Sequence, residues 1–139
     1  MPDDASIHSY SGRIWPAGLT RVPFWTYKDP DVLAREQKLL FEGPVWNYLC
    51  LETEIPNAGD WRATYVGEMP VVVARDYDGG IVAFENRCAH RGALICLDDG
   101  GNAREFQCVY HAWRDDLRGN LRSIAFQRGV NGKGGMPAD

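Results

Sequence analysis

Short stretches rich in aromatic and β-branched residues follow one another from Val45 onward, and this pattern predicts β-strands. The DGG sequence at residues 78–80 is a strong hairpin signal, and RGN at residues 118–120 indicates another turn. Short strands separated by turns predict a mainly antiparallel β domain, a small barrel or sandwich. The predicted strands are VWNYLCLE, WRATYVG, VVVARDY, IVAFENR and EFQCVYHAW, the last of which runs into a loop.

One helix is predicted ahead of these strands, in DPDVLAREQKLLFEGP at residues 29–44. Asp29 can cap it, Pro30 suits its first position, and Gly43-Pro44 stops it. Apolar residues at a seven-residue interval would form one face that packs on neighbouring structure. That face consists of Val32, Leu33, Leu39 and Leu40.

The segment before the helix, residues 1–28, is interpreted as an arm. Its regular pattern is broken by Pro2, Pro16, Gly18 and Pro23, and the side chains that could pin it to a surface are Trp15, Phe24 and Trp25. The chain is therefore predicted to comprise an arm and helix at residues 1–43 and a strand-rich domain at residues 44–139.

Composition narrows the class of protein. A chain of 139 residues is one ordinary domain, and its 15 basic and 19 acidic residues give a net charge of -4. No basic run is present, which argues against a nucleic-acid partner. The N-terminus lacks the features of a signal peptide and no apolar run is long enough to cross a membrane, so we expect a soluble, cytoplasmic protein.

Two short stretches each contain one cysteine and one histidine at ligand spacing. Cys88 and His90 form the first pair, Cys108 and His111 the second, and together they read C-x-H-x17-C-x2-H. Neither pair alone would hold a metal firmly. The two stretches are therefore expected to meet around a shared inorganic centre.

The mixture of ligand types in each stretch favours one kind of centre. A tetrahedral zinc site is an alternative, but zinc fingers usually place both cysteines in one stretch and both histidines in the other. A Rieske [2Fe–2S] cluster binds two thiolates at one iron and two imidazoles at the other. Cys50 and Cys96 have no histidine at such a spacing, and core packing is the better interpretation of both.

Four segments resemble one family: FENRCAHRGALI, FQCVYHAW, VWNYLCLETEIPNAGDW and the ending GGMPAD. They are similar to the N-terminal part of the large (alpha) subunit of Rieske non-haem iron ring-hydroxylating oxygenases, and they resemble terephthalate, anthranilate and salicylate oxygenases in pattern. The resemblance runs from about Arg21 to the last residue. It implies a Rieske-type antiparallel β domain with two cluster-binding loops, preceded by a short helix.

The resemblance also implies roles for individual residues. Cys88 and Cys108 would bind the inner iron of the cluster, and His90 and His111 the exposed outer iron. Further positions of the family motif, outside the ligand set, are Arg91-Gly92 and Trp113.

The chain departs from the family pattern in several places. Val109 and Ala112 stand where proline and glycine are common, and Asp115 stands where an aromatic residue is common. High-potential Rieske proteins join their two loops by a disulfide, and the corresponding positions here are Ala93 and Tyr110. A low reduction potential is therefore expected.

In the family, oxygen reacts at a mononuclear iron(II) held by two histidines and a carboxylate in a C-terminal domain. This chain has three histidines, and the cluster pairs leave only His8, so that domain is expected to be absent. QRGVNGKGGMPAD has no apolar strand pattern, so the Rieske domain is expected to be incomplete at its C-terminal end.

The expected function is an electron relay within an oxygenase that dihydroxylates an aromatic acid. Electrons would come from an NAD(P)H-dependent reductase or ferredoxin and pass to the mononuclear iron. The resemblance implies a homotrimer of large subunits, with or without a small beta subunit. A stand-alone ferredoxin-like electron carrier is the alternative, and a zinc-stabilised interaction module is a third.

Overall fold

The chain folds as two units, Met1–Asn47 and Tyr48–Asp139, in a computed structural model that describes residues 9–10, 13–14 and 20–135. In the first unit, β1 (Ser9–Tyr10) pairs antiparallel with β2 (Arg13–Ile14). A 3-10 turn at Phe24–Tyr27 precedes helix α1 (Pro30–Glu36). The other arm residues singled out in the sequence lie outside the described ranges: Pro2, His8, Trp15, Pro16 and Gly18.

The predicted helix signals are confirmed. The Asp29 carboxylate accepts a hydrogen bond from the Asp31 N–H at 2.9 Å, and Pro30 is the first helical residue. The helix continues as a π-helical turn, Gln37–Phe41. A Cβ at Gly43 would overlap the carbonyl oxygen of Leu39, so glycine is required where the helix ends.

The prediction that one helix face would be packed is wrong. Leu33, Leu39 and Leu40 are all exposed. The π-helical turn adds a residue to its last turn, so positions seven apart no longer lie on one line along the helix. The seven-residue interval predicts one face only where the whole segment is α-helical.

The second unit contains a four-stranded antiparallel sheet with the order β5-β4-β3-β6. The strands are β3 (Asp60–Val66), β4 (Met69–Arg75), β5 (Ile81–Glu85) and β6 (Gly100–Asn102). β4 is one of the two interior strands, and its residues 70–74 are all buried. The predicted strands in WRATYVG, VVVARDY and IVAFENR and the hairpin between the last two are confirmed.

A second antiparallel sheet has the order β7-β8-β9. Its strands are β7 (Phe106–Gln107), β8 (Arg114–Asp115) and β9 (Leu121–Ser123). A short hairpin of β10 (Gly129–Val130) and β11 (Lys133–Gly134) follows in the segment where no strand pattern was recognised. The mainly antiparallel β architecture is confirmed.

The predicted strand in VWNYLCLE is wrong. The segment has no strand structure and ends in a 3-10 turn, Glu52–Glu54. Trp46, Tyr48 and Leu51 are exposed, so their aromatic and branched side chains find no pleated, half-buried surface to pack on. β-propensity stabilises a strand only where such a surface and a pairing partner exist.

One hydrophobic core joins the two sheets. The Trp61 ring of β3 meets Phe106 of β7 edge to face at 5.8 Å, and Phe84 of β5 lies 5.6 Å from Phe106. Four strand residues, three cysteines and two loop residues form the buried cluster: Trp61, Val72, Ala74, Cys88, Ile95, Cys96, Phe106, Cys108 and Leu117. Within the described residues, no helix is long and apolar enough to span a membrane.

Two hairpin turns have the same hydrogen-bond pattern. In the turn after β4, Asp76 Oδ1 accepts from the N–H groups of Asp78 and Gly80 at 2.9 and 2.8 Å. In the turn after β8, Asp116 Oδ1 accepts in the same way from Arg118 and Asn120, both at 2.9 Å. Each carboxylate therefore closes its own turn.

Arg118 connects the two turns. Its guanidinium lies 2.6 Å from the Asp76 carboxylate and 2.8 Å from that of Asp78. Burial opposes the ionisation of Asp76, but the Gly80 N–H and the Arg118 charge outweigh it and hold its pKa below the usual value. The two hairpin turns are thus held together. They lie at the opposite ends of β5 and β8 from the segments that contain the four candidate ligands.

The paired turns give a matched test of packing. Gly119 has φ +78° and a Cβ there would lie 2.7 Å from Cγ of Phe84, whereas Gly79 has φ +85° and open space around it. Gly119→Ala should lower the free energy of unfolding by about 1–3 kcal/mol more than Gly79→Ala, because only the first adds a steric overlap to the backbone strain. Denaturant unfolding measures both variants, and equal losses would contradict the packing of this turn on Phe84.

Candidate metal centre

The first candidate loop leaves β5 and turns at Cys88. The Cys88 N–H donates to the carbonyl of Ala93, and the Gly92 N–H donates to the carbonyl of Cys88, both at 2.8 Å. These two hydrogen bonds close a six-residue turn. Gly92 has φ +71°, a left-handed conformation that glycine adopts without strain.

The second candidate loop, between β7 and β8, repeats this geometry. The Cys108 N–H donates to the carbonyl of Trp113 at 2.9 Å, and the Ala112 N–H donates to the carbonyl of Cys108 at 3.0 Å. Ala112 therefore takes the position of Gly92, and it too is left-handed, with φ 55°. An alanine in this conformation carries backbone strain of about 1–2 kcal/mol.

A buried asparagine fixes the return of the first loop. Asn86 Oδ1 accepts from the N–H groups of Ile95 and Cys96 at 3.0 and 2.8 Å, and its Nδ2 donates to the Cys96 carbonyl at 2.9 Å. All three bonds are buried and so hold the loop tightly. Sequence reasoning missed this residue, although its place two residues before Cys88 was visible within FENRCAH.

The two loops bring the cysteine thiols together inside the core. Cys88 is 4% and Cys108 is 2% exposed, and the thiols are within hydrogen-bonding reach of each other. Burial raises the pKa of Cys88. Burial also opposes the ionisation of Cys108, but the N–H groups of Tyr110 and His111 outweigh it and hold the pKa of Cys108 below its usual value. Backbone N–H groups thus point at a sulfur that must carry negative charge to bind metal.

The two histidines lie together nearer the surface. The ring centroids of His90 and His111 are 4.6 Å apart, and the rings are steeply inclined at 77°. Each Nδ1 atom is buried and has no hydrogen-bond partner. Burial lowers the pKa of His90, and the neighbouring His111 and Arg91 charges act in the same direction. A buried, neutral imidazole nitrogen without a donor is suited to binding a metal.

The four side chains are therefore grouped by type, sulfur with sulfur and imidazole with imidazole. Within the described residues, no three His, Cys, Asp or Glu side chains are placed to hold one metal ion. The grouping fits a cluster in which one iron takes two thiolates and the other two imidazoles, and it does not assemble a four-ligand zinc site. The unpartnered Nδ1 atoms and facing thiols fit a [2Fe–2S] group.

The other two cysteines differ from this pair. Cys96 is buried in the core as predicted, and its burial raises the pKa to about 12, so the thiol stays protonated. Cys50 is half-buried rather than buried as predicted, because the segment around it forms no strand. All four cysteines are free thiols.

Trp113 supports the imidazole pair. Its ring stacks on His90 with centroids 4.7 Å apart and an interplanar angle of 14°. Tyr110 contacts His111 with a centroid distance of 3.9 Å. Trp113 holds the ring of His90 across the two loops, a role that the sequence indicated only as a motif position.

Comparison of the chain with known protein families agrees with this geometry. The family model described as Rieske [2Fe-2S] domain matches residues 45–132, and the chain belongs to that family. The cofactor of the domain is a Rieske [2Fe–2S] cluster.

Curated relatives are oxygenase subunits. The chain is 59% identical over 119 residues to the terephthalate 1,2-dioxygenase terminal oxygenase component subunit alpha 2 of Comamonas sp, covering 86% of this chain and 29% of the relative. It is 52% identical over 120 residues to the anthranilate 1,2-dioxygenase large subunit of Burkholderia cepacia, covering 86% and 28%. The resemblance to this family is confirmed, and the chain spans less than a third of the length of these relatives.

Solved structures support the same placement. A mutant naphthalene 1,2-dioxygenase bound to phenanthrene matches with a TM-score of 0.70 and 35% identity, over 76% of this chain and 23% of that chain. The β domain with two facing loops is therefore similar to the Rieske portion of this dioxygenase.

The equivalent positions Ala112 and Gly92 give a reciprocal test of the loops. Ala112→Gly should raise the free energy of unfolding by about 1 kcal/mol because it removes left-handed strain, and Gly92→Ala should lower it by a similar amount. No atom lies within 4 Å of a Cβ built at Gly92, so strain is the main cost there. Denaturant unfolding of both variants measures the effects, and a stabilising Gly92→Ala would contradict the shared loop conformation.

Proposed function

We propose that Cys88 and Cys108 bind one iron of the cluster and His90 and His111 the other. The observation that carries this assignment is the grouping of like ligands, with facing thiols in the core and two unpartnered Nδ1 atoms nearer the surface. The cluster, when bound, accepts and releases one electron. The side chains around the site determine from which side an electron partner can approach it.

The imidazole side faces an open cavity of about 500 Å³. Val109, Tyr110 and Phe126 stand exposed around it. The thiol side, in contrast, is closed by the core. Electron partners would therefore approach the histidine side, and Trp113, stacked on His90, keeps that ring in place.

The whole protein is proposed to be the large subunit of an aromatic ring-hydroxylating dioxygenase, in the cytoplasm. The identity of the chain to terephthalate and anthranilate dioxygenase subunits supports this proposal. The remainder of such a subunit would contain the mononuclear iron(II) site. An NAD(P)H-dependent reductase or ferredoxin would supply electrons, and large subunits would associate as a homotrimer, with or without a small beta subunit.

Substitution of single cysteines tests the ligand set. Cys88→Ser and Cys108→Ser should each abolish the visible colour and reduce iron and acid-labile sulfide from two of each per chain to near zero. The matched control is Cys96→Ser, which changes a thiol of similar burial in the same core and should keep the colour. Cys50→Ser should also keep it.

Absorption spectra and iron and sulfide analysis of protein purified anaerobically measure these outcomes. Circular dichroism of each variant checks that the fold is retained. A colourless wild-type chain with one stoichiometric zinc ion would contradict the proposal, and so would loss of colour in Cys96→Ser alone.

The reduction potential tests the family placement independently. No disulfide links the loops, because the positions that correspond to it are Ala93 and Tyr110 and all four cysteines are free. The midpoint should lie in the low part of the Rieske range, roughly -150 to 0 mV. Protein-film voltammetry measures it, and a value above about +200 mV would place the chain with the high-potential Rieske proteins instead.

A further inference from the structure

Asp115 is a buried acid at the end of β8 that the ligand set does not use. Asp115 is 6% exposed. None of the ion pairs within the described residues involves it, whereas buried Asp76 is paired with Arg118 and closes a turn. Burial and the neighbouring Asp116 charge raise the pKa of Asp115. In its ionised form, a buried carboxylate without a cation affects the charged groups around it strongly.

Strand register places Asp115 beside the thiol pair. Asp115 lies opposite Phe106 in the β7–β8 ladder. Two residues after Phe106, the Cys108 N–H donates to the carbonyl of Trp113, which lies two residues before Asp115. Opposite residues of an antiparallel pair project to one face, and so do residues two apart on a strand. Cys108 and Asp115 are therefore diagonal neighbours, roughly 7–8 Å apart, on the face that enters the core.

The electrostatics of the thiols agree with this placement. The Asp115 charge reaches both thiols, and its upward effect on the pKa of Cys88 and of Cys108 is smaller than that of burial. The carboxylate thus acts on both sulfurs.

The first loop has a position equivalent to that of Asp115. Asp115 is the seventh residue after Cys108, and the seventh residue after Cys88 is Ile95, which is 7% exposed. The same loop geometry therefore accepts an apolar side chain at this position. The acid is not required to form the turn.

We propose that the Asp115 carboxylate sets the reduction potential of the bound cluster low. Reduction adds one electron from an external donor, and no bond is made or broken at Asp115. The added negative charge is less favourable beside a buried carboxylate, so the oxidised state is stabilised relative to the reduced one. The inference rests on the proposed ligand set.

The test compares midpoint potentials of the cluster-containing chain. Asp115→Asn removes the charge with little change of shape and should raise the equilibrium constant for reduction at least about tenfold, which is 59 mV for a one-electron couple. Glu105→Gln is the matched control, since it neutralises an exposed acid of the same sheet region, and it should change the constant less than about twofold. Asp115→Leu, which imitates Ile95, is a second neutral variant and should shift the potential in the same direction.

Electron paramagnetic resonance of the reduced proteins distinguishes the possible failures. A wild-type chain without a Rieske spectrum would defeat the ligand assignment. A normal Rieske spectrum with an unchanged or lowered potential in both Asp115 variants would overturn the role of Asp115 alone. An equal rise in Glu105→Gln would also overturn it, because the effect would then reflect net charge rather than the buried position.

Discussion

The close approach of the two thiols inside the core is the constraint on which the site depends. Cys88 comes from the loop that follows β5, and Cys108 from the loop that follows β7, so the thiols meet only if the two sheets share one core. The aromatic contacts of Phe106 with Trp61 and Phe84 hold that packing. Hydrophobic burial and metal binding therefore share the same residues, and bound metal would stabilise the fold as well as supply its chemistry.

A repeated loop geometry explains why like ligands face one another. Both cysteines begin a six-residue turn closed by the same two hydrogen bonds, so each presents its sulfur inward from an equivalent position. The histidines follow at different offsets, two residues after Cys88 and three after Cys108. The hairpins are joined again at their opposite end by Arg118. The two loops are thus fixed relative to each other from both sides.

Local features of the sequence predicted much of this arrangement, and features that depend on distant partners did not. The turn at residues 78–80 and the cap at Asp29 are governed by neighbouring residues, and both are confirmed. VWNYLCLE was wrong because a strand needs a partner that its own sequence does not contain. The ligand spacing indicated the type of centre, but the burial of Asp115 became visible only when the β7–β8 register was known.

The central claim is that sulfur and imidazole ligands act as separate pairs on two irons. Pulsed electron paramagnetic resonance of the reduced chain, with histidine labelled by nitrogen-15, measures the number of imidazole nitrogens bound to the cluster. The account predicts two coordinated histidine nitrogens, and the loss of one in His90→Ala or His111→Ala variants that still retain iron. Coupling to no histidine nitrogen, or to only one in the wild-type chain, would contradict it.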